Sequence, residues 1–318
     1  MSETSSTQTA VIALGGNALA PSADRSTIWD QFSHTRRSLD PIVELALDGW
    51  DVCIVHGNGP QVGDELVRNE VARREASPLP LGVLVAATAG WIGYMVQQSL
   101  ENALHRAGSD RRVATVITQV EVAPDDPALA RPTKFIGHEI PPDRAAELIS
   151  EGEPIKPDGR GRLRRVVASP VPVAIHELAV IERLVTAGVI TVACGGGGAP
   201  IYYDAELRGW EGIDAVVDKD LAAAVLARDL GAQLLVILTD VDAVYADWGK
   251  PTQRRLPTLT IAEAEGMDRD GAFGEGSMAP KVRAAVDFVR RTGGRAVITE
   301  LRSGRMAVRG EAGTSITP

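Results

Sequence analysis

Cysteine is scarce in this sequence, with only two residues in 318. Cys53 and Cys194 each lie in an apolar run, which predicts two buried strand residues in a reducing compartment. A zinc site would need more ligands at closer spacing. We therefore expect neither a disulfide framework nor a structural zinc, and an ordinary hydrophobic core must hold the fold together.

The sequence also lacks an excess of positive charge, because 42 acidic residues outnumber 33 basic ones and leave a net charge of −9. Wholesale binding to nucleic acid or to an anionic membrane is therefore disfavoured. The polar residues 1–9 contain no apolar signal core. One apolar stretch, 81–96, is shorter than the ~20 residues that a membrane span requires. We expect a buried helix there, in keeping with a subunit interface, and a cytoplasmic protein.

Short β-type runs alternate with helical patterns, which is typical of a layered α/β fold with a largely parallel sheet. The predicted strands are 9–14, 51–55, 112–120, 189–193, 233–238 and 295–299. The clearest helix is predicted over 280–291, where Val282, Val286 and Val289 recur at helical spacing. Between 121 and 169 the pattern breaks down among prolines, and this segment is predicted to be an inserted subdomain or lid.

Glycines cluster directly after three of the predicted strands. The three runs are Gly15-Gly16-Asn17, Gly57-Asn58-Gly59 and Gly195-Gly196-Gly197-Gly198. Ligands of α/β sheets bind at the carboxyl ends of strands, where glycines let backbone N–H groups close on an anion. Three such loops predict a phosphate or carboxylate site. Neither a Walker loop nor a good dinucleotide-binding fingerprint is present.

Lysine is rare among the basic residues, since only five of the 33 are lysine and the other 28 are arginine. A chain with this bias retains lysine mainly where a compact point charge is needed. Lys219 opens an apolar helical run, and Lys281 lies in the first turn of the helix predicted over 280–291. A cation there costs ~0.3–1 kcal/mol unless an anion offsets it. The two lysines therefore indicate a site that stabilises the charge of phosphoryl transfer.

A series of short motifs covers nearly the whole chain. They are Ala13-Leu-Gly-Gly-Asn-Ala-Leu19, His56-Gly-Asn-Gly-Pro-Gln-Val-Gly63, Pro132-Thr-Lys134, Arg164-Arg-Val-Val167 with Ser169-Pro170, Gly195-Gly-Gly-Gly198, Asp218-Lys-Asp220, Leu238-Thr-Asp-Val241, Gly276-Ser-Met278 with Pro280-Lys281, and Gly313-Thr314. In this order they resemble the carbamate kinase family of the amino acid kinase superfamily. The second and third motifs are particularly specific to that family.

The resemblance implies a three-layer αβα sandwich around a mainly parallel eight-stranded sheet, in a homodimer. Residues 1–215 would form an N-terminal lobe that binds carbamate or carbamoyl phosphate, with a protruding subdomain at about 122–168. Residues 216–318 would form a lobe that binds ADP or ATP, with Mg²⁺ held through the nucleotide phosphates. The implied activity is reversible phosphoryl transfer between ATP and carbamate.

The resemblance also implies roles for individual residues. Lys219 and Lys281 would offset the developing charge, Asp220 would organise both lysines, and Lys134 would reach in from the inserted subdomain. The backbone of the glycine-rich loops would bind the phosphoryl group and the acceptor, through Gly15, Gly16, Asn17, Gly57, Asn58, Gly59, Gly196 and Gly197. The nucleotide pocket would be lined by Thr239, Asp240, Tyr245, Gly276 and Ser277. No residue is assigned to direct metal binding.

Two features near these motifs are interpreted as structural. His56 is predicted to form a hydrogen bond at the end of its strand rather than to act as a base, because a carbamate oxygen is already anionic. The arginine-rich stretch 160–165 contains no aromatic residue, so a solvated lid hinge is favoured over a nucleic-acid patch. The chain departs from the family pattern at Ala89, Ala199 and Ala279, and none of these removes a charged group.

Two other functions remain open. The first is another amino acid kinase that phosphorylates a larger carboxylate such as glutamate or acetylglutamate, and the Pro132-Thr-Lys134 motif argues against it. The second is a nucleotide-binding regulator without activity. Retention of Lys134, Lys219 and Lys281 in an arginine-rich chain argues against that one. The sequence leaves open which metabolic pathway the enzyme serves.

Overall fold

In the computed structural model the chain is described over residues 8–19, 27–273 and 278–318. The strands are β1 (Thr9–Leu14), β2 (Asp51–His56), β3 (Val113–Thr115), β4 (Gln119–Val122), β5 (Lys134–Ile136), β6 (Ile155–Pro157), β7 (Leu163–Val167), β8 (Pro172–Ile175), β9 (Ile190–Val192), β10 (Ala199–Asp204), β11 (Gly209–Gly212), β12 (Leu234–Thr239), β13 (Val244–Ala246), β14 (Arg254–Leu256), β15 (Thr258–Thr260), β16 (Arg295–Glu300) and β17 (Thr314–Thr317). The helices are α1 (Gly16–Leu19), α2 (Ile28–Ser38), α3 (Asp40–Leu47), α4 (Gly59–Ala72), α5 (Leu81–Arg106), α6 (Pro142–Ser150), α7 (Leu178–Thr186), α8 (Lys219–Asp229), α9 (Ile261–Arg269), α10 (Ala279–Thr292) and α11 (Gly304–Val308).

An eight-stranded sheet forms the centre of the molecule, in the order β15-β17-β16-β12-β1-β2-β9-β3. Neighbouring strands are parallel except for the antiparallel pair of β16 and β17. The central strand β1 is almost wholly apolar, as a strand covered on both faces requires. The family resemblance predicts a mainly parallel eight-stranded sheet, and this prediction is confirmed.

Helices cover both faces of this sheet. Alternate side chains of β1 point to opposite sides, so that Val11 and Ala13 join one apolar core and Ile12 joins the other. The first core also contains side chains of α7, α8, α9 and α10, and the second contains side chains of α2, α3, α5 and α11. The fold is therefore the three-layer αβα sandwich that was predicted.

Five of the six predicted strands agree with the structure to within about one residue at each end, and the helix predicted over 280–291 is α10. The sixth, 112–120, is wrong, because the chain leaves the main sheet after β3 and enters a second sheet as β4. Cys53 lies in β2 as predicted. Cys194 instead lies in the turn after β9, with a φ of 49°. Both cysteines are buried and free.

The segment 122–168, hereafter the insert, contains more regular structure than its sequence indicated. Its strands form a separate three-stranded antiparallel sheet in the order β5-β7-β6, and α6 belongs to the same segment. Ile136 and Val167 on this small sheet pack with Val62 of α4 and with Leu84 of α5. The insert is therefore attached to the main body through apolar contacts. The lobe boundary at 215 stays a prediction.

Helix α5 is 26 residues long and contains the apolar stretch noted in the sequence. Its inner side chains, among them Ile92, Met95 and Val96, are completely buried against the central sheet. Among the helices that the structure describes, none combines the length and the apolar character needed to cross a bilayer.

Candidate active site

The loops that follow β1, β2 and β12 meet at the carboxyl edge of the central sheet, because these three strands are parallel neighbours. The N–H of Gly15 donates to the carbonyl oxygen of Leu238 at 3.2 Å, and the N–H of Gly57 donates to that of Leu14 at 3.1 Å. A Cβ on Gly15 would lie only 2.9 Å from the Leu238 oxygen. The first two glycine-rich loops are therefore held side by side, at a spacing that excludes a side chain at position 15.

The third glycine-rich loop approaches the same place. Gly196 and Gly197 have φ angles of 68° and 91°, which side chains rarely tolerate. A Cβ on Gly196 would lie 2.3 Å from Nδ2 of Asn58, and one on Gly197 would lie 2.2 Å from the carbonyl oxygen of Val217. The structure thus brings this loop against the N-terminus of α4 and against the chain that enters α8.

Asn58 and Gly59 begin helix α4, with Asn58 at the N-cap. The Asn58 side chain is buried and donates from Nδ2 to Oγ1 of Thr88 at 2.9 Å. Because this side chain does not cap its own helix, the backbone N–H groups of the first turn remain available to an anion. Asn17 lies in α1 beside Gly16. Gly276 and Ser277 lie outside the described residues.

Lys219, Asp220 and Lys281 form one buried group. Lys219 is the first residue of α8, and Lys281 lies in the first turn of α10. The Asp220 carboxylate accepts from Nζ of Lys219 on one oxygen and lies 3.2 Å from Nζ of Lys281 on the other. Asp220 is only 1% exposed. The predicted association of these three residues is thus present in the structure, while their roles in catalysis stay a prediction.

The two lysines experience different electrostatic environments. Burial lowers the pKa of Lys219, and the neighbouring Lys281 lowers it further, against the opposing effect of the Asp220 carboxylate. Burial alone would also lower the pKa of Lys281, but the carboxylates of Asp220 and Asp218 raise it above its ordinary value. Lys281 is therefore held as a cation whenever the two carboxylates are ionised.

Lys134 reaches the same cluster from the insert. Its Nζ donates to Oδ2 of Asp218 at 2.7 Å, across 84 positions of sequence. Asp218 caps α8, because its Oδ1 accepts from the backbone N–H of Asp220 at 2.9 Å. The three lysines and two aspartates that meet here, Lys134, Lys219, Lys281, Asp218 and Asp220, are hereafter the charged cluster.

The glycine-rich loops border the charged cluster directly. A Cβ on Gly57 would lie 3.2 Å from Cδ of Lys219 and 3.8 Å from the backbone nitrogen of Gly16. With all five side chains ionised, the cluster carries one net positive charge beside these backbone N–H groups. An arrangement of fixed cations and N–H donors suits a small, multiply charged anion.

The predicted nucleotide residues lie along the same edge of the sheet. Thr239 ends β12, Asp240 follows it, and the Asp240 charge contributes to the raised pKa of Lys281. Tyr245 lies on β13, and its hydroxyl donates to Oδ1 of Asp242 at 2.8 Å. Trp248 packs edge-on against the Tyr245 ring at 5.2 Å between centroids. The two ring planes stand at 62° to each other, so at most one of them could stack on a planar base.

His56 is completely buried, and its Nδ1 lies 3.0 Å from the carbonyl oxygen of Gly57. Burial lowers its pKa to about 4, against the opposing influence of the Gly57 and Ala89 carbonyl groups. The imidazole is therefore neutral at pH 7, in keeping with its structural interpretation.

The interpretation of 160–165 as solvated is wrong for Arg165. This side chain is 6% exposed and pairs with Glu70 of α4 and, at 3.3 Å, with Glu153. The stretch is partly buried because β7 pairs with strands on both sides, which brings Arg165 over α4.

Asp218 is the functional candidate that sequence reasoning missed, since only its neighbours in the Asp218-Lys-Asp220 motif were selected. An aspartate directly before an apolar helical run is a good N-cap, so its residue type alone does not indicate a further role. Its contact with Lys134 could not be foreseen, because the two residues belong to different parts of the chain.

Comparison with known proteins agrees with this geometry. The model of the amino acid kinase family matches residues 8–300, so the chain belongs to that family of kinases. The carbamate kinase of Halobacterium salinarum is 44% identical over 97% of this chain and 98% of its own length. Within the amino acid kinases, the chain therefore belongs to the carbamate kinase family.

Solved structures give the same result. A carbamate kinase from Giardia lamblia bound to citric acid superposes with a TM-score of 0.92 at 34% identity, covering 98% of this chain and 99% of that one. The Giardia lamblia carbamate kinase bound to AMP-PNP has a TM-score of 0.89 at 35% identity, with the same coverage of both chains.

Proposed function

We propose that the charged cluster and the glycine-rich loops carry out the carbamate kinase reaction, in which ADP and carbamoyl phosphate give ATP and carbamate. The observation that carries the proposal is the buried Asp220 carboxylate, which holds the ammonium groups of Lys219 and Lys281 beside Gly57. Charge on a transferring phosphoryl group is stabilised by cations that are fixed before the reaction begins. Relatives named as carbamate kinases support the same assignment.

The reaction needs positioned charges more than proton transfer. An oxygen of the ADP β-phosphate forms a bond to phosphorus while the bond from phosphorus to the carbamate oxygen breaks. Carbamate leaves as an anion, so no general base is required, and the neutral, buried His56 is not needed as one. Lys219 and Lys281 would lie against the equatorial oxygens of the phosphoryl group, where negative charge is spread in the transition state.

The acceptor side of the site would be formed by the N-terminal lobe. Backbone N–H groups at Gly59 and Gly196 would bind the carboxylate-like end of carbamate, and the N-terminus of α4 adds its positive dipole. Lys134 would contribute a further cation from the insert. Carbamate has few atoms, so a site of backbone donors closed by one side chain can orient it.

The nucleotide would bind on the other side of the charged cluster, near Thr239, Asp240 and Tyr245. The Giardia lamblia relative bound to AMP-PNP supports nucleotide binding in this fold. Within the described residues, no group of three acidic, histidine or cysteine side chains is placed to enclose a metal ion. Mg²⁺ would therefore be held chiefly by the nucleotide phosphates, and when bound it would neutralise charge on their oxygens.

The test of the proposed function is a coupled assay for ATP formation. With ADP, Mg²⁺ and carbamoyl phosphate, the purified chain should make ATP at a kcat of ~1–10³ s⁻¹. Acetyl phosphate and glutamyl phosphate serve as competing donors in the same assay. An absence of ATP above the spontaneous breakdown of carbamoyl phosphate would refute the assignment. A preference for glutamyl phosphate would instead assign the chain to the kinases that act on larger carboxylates.

We also propose that two copies of the chain associate through α5. Val83, Ala87 and Tyr94 are exposed on this helix at spacings of four and seven residues, which places them on one outward stripe. Val83 is 47% and Tyr94 is 55% exposed. A stripe of this kind on a long helix is suited to a twofold contact with its own copy.

Sedimentation of the purified chain tests this association. The native protein should sediment as a dimer, and Tyr94→Glu should shift it toward the monomer. Val71→Glu, at an 81% exposed apolar position on α4, is the matched control and should leave the dimer intact. A native monomer would contradict the proposal.

We further propose a reducing, cytoplasmic location, in keeping with the two free cysteines.

A further inference from the structure

Asp218 connects two parts of the chain that must act together in the proposed reaction. One carboxylate oxygen accepts from Nζ of Lys134 in the insert, and the other accepts from the backbone at the start of α8. That helix carries Lys219 and Asp220. A single side chain thus joins the insert directly to the helix that holds the buried cations.

Three of the attachments of the insert lie on one face of its small sheet. Lys134 and Ile136 of β5 pair across the strands with Val167 and Arg165 of β7, so that all four share one face of the small sheet. Ile136 and Val167 make apolar contacts in the middle, and Arg165 binds Glu70 at one end. Lys134 binds Asp218 at the other end. The contact of Lys134 with Asp218 is therefore the one of these three that lies within the charged cluster.

The charge of Asp218 is strongly stabilised where it stands. Burial would raise its pKa, but the ammonium groups of Lys134, Lys219 and Lys281 hold the pKa well below its ordinary value. An ammonium group has three N–H donors, so Lys134 can bind Asp218 and a substrate oxygen at the same time. The contact with Asp218 therefore does not compete with substrate binding, and it restricts where the remaining donors of Lys134 can point.

We infer that Asp218 is a positioning residue, which sets the place of Lys134 over bound carbamoyl phosphate. The inference rests on the proposed function. Without Asp218, the Lys134 side chain keeps its charge but loses its fixed direction, and orientation of a small substrate depends on that direction. The side-chain bonds of Asp218 go to Lys134 and to the start of α8 rather than to Thr239, Asp240 or Tyr245, so we expect ADP affinity to change little.

The first test is a double-mutant cycle with Asp218→Asn and Lys134→Ala. Asparagine caps helices about as well as aspartate, so the substitution preserves the start of α8 while it removes the charge that holds Lys134. Asp218→Asn lowers kcat/KM for carbamoyl phosphate at least about tenfold, because a misplaced group loses orientation. In a Lys134→Ala background, the same substitution lowers it by less than about threefold, since coupled residues are not additive. Equal losses in both backgrounds would show that Asp218 acts without Lys134, and would overturn the inference.

Asp158→Asn is the matched control. Asp158 also accepts backbone N–H groups on one oxygen, from Arg160 and Arg162, and binds the Arg162 side chain on the other at 2.7 Å. It lies in the turn between β6 and β7, within the insert and apart from the charged cluster. This variant should retain the native kcat/KM. A loss equal to that of Asp218→Asn would show that any broken ion pair in this region reduces activity, and would overturn the inference.

Hydrogen exchange gives a readout that does not depend on turnover. Amides in β5 should exchange at least about threefold faster in Asp218→Asn and in Lys134→Ala, because a local attachment is lost, and at the native rate in Asp158→Asn. If the native protein makes no ATP, the proposed function fails, while this measurement still tests the attachment. Unchanged exchange in β5 of Asp218→Asn would overturn the positioning role.

Discussion

Gly63 and Gly137 are in direct backbone contact, so that a Cβ on Gly63 would lie 2.1 Å from Cα of Gly137. Gly63 belongs to α4, whose N-terminus borders the candidate active site, and Gly137 follows β5 in the insert. The N–H of Gly137 also donates to the carbonyl oxygen of Gly59 at 2.9 Å. The insert therefore approaches α4 more closely than any side chain at position 63 would allow.

Gly63→Ala should separate the insert from α4 and reduce activity. We expect kcat/KM for carbamoyl phosphate to fall at least about tenfold, because displacement of a positioning group by even 1 Å is costly. The measurement is steady-state kinetics with ADP held in excess. Gly266→Ala in α9, where only one arginine nitrogen lies within 4 Å of the added carbon, is the control and should retain activity. Native kinetics in Gly63→Ala would show that the close approach has no functional importance.

Lys281→Arg tests whether the charged cluster needs a lysine or only a positive charge. Asp220 is buried between two ammonium groups, and a planar guanidinium is larger and differs in donor geometry. We expect kcat to fall by roughly 10²–10³, comparable to the loss of one oxyanion donor. Lys219→Ala should give a loss of the same order. Full activity in Lys281→Arg would refute the argument that this arginine-rich chain retains lysine for its geometry.

Lys134→Ala should separate substrate binding from nucleotide binding. We expect at least about a tenfold loss in kcat/KM for carbamoyl phosphate, whereas ADP affinity, measured by direct titration, changes less than about threefold. Lys156→Ala is the matched control, because Lys156 also lies in the insert but donates to a backbone carbonyl oxygen, that of Pro132, rather than to a carboxylate of the charged cluster. Loss of ADP binding with an unchanged KM for carbamoyl phosphate would assign the insert to the nucleotide side.

His56 should make stability depend on pH. Its pKa is about 4 in the folded chain and 6.5 when unperturbed, so below pH 6.5 the unfolded chain binds a proton that the native chain does not. Stability therefore falls as pH decreases through this window, by on the order of 3 kcal/mol between pH 6.5 and 4. Urea unfolding of the native protein and of His56→Asn at several pH values measures the effect.

The pH dependence should be flatter in His56→Asn, even if that variant is less stable overall. His105→Gln, at an exposed position near the end of α5, should retain the native pH dependence. If the free energy of unfolding changes with pH at the same slope in the native protein and in His56→Asn, the buried imidazole does not contribute to the pH dependence of stability.

Features with a local cause could be predicted from the sequence, and those that depend on distant contacts could not. Strand β1 and helix α10 follow from apolar periodicity and from flanking glycine and proline residues. The run 112–120 has strand character throughout, and only the main-chain pairing of β4 with β10 shows that the chain changes sheets.

The same distinction applies to the candidate site. Lys219 and Lys281 could be selected because a lysine is unusual in the first turn of a helix, and Asp220 was selected through the family resemblance. The contacts of Asp218 with Lys134 and of Gly196 with Asn58 join residues that are far apart in the sequence. Side-chain geometry between such distant segments has no signal in local periodicity.

The shared carboxylate of Asp220 also restricts how this site can change during evolution. A single substitution that removes the carboxylate leaves two poorly exposed ammonium groups beside each other, and breaking a buried ion pair costs about 3–5 kcal/mol. A single loss of Lys219 or Lys281 leaves the aspartate with one partner, which is less severe for folding but removes a cation from the site. Lineages that abandon this chemistry should therefore lose a lysine before they lose the aspartate. A descendant with Asp220 retained beside one substituted lysine would record the first step of that loss.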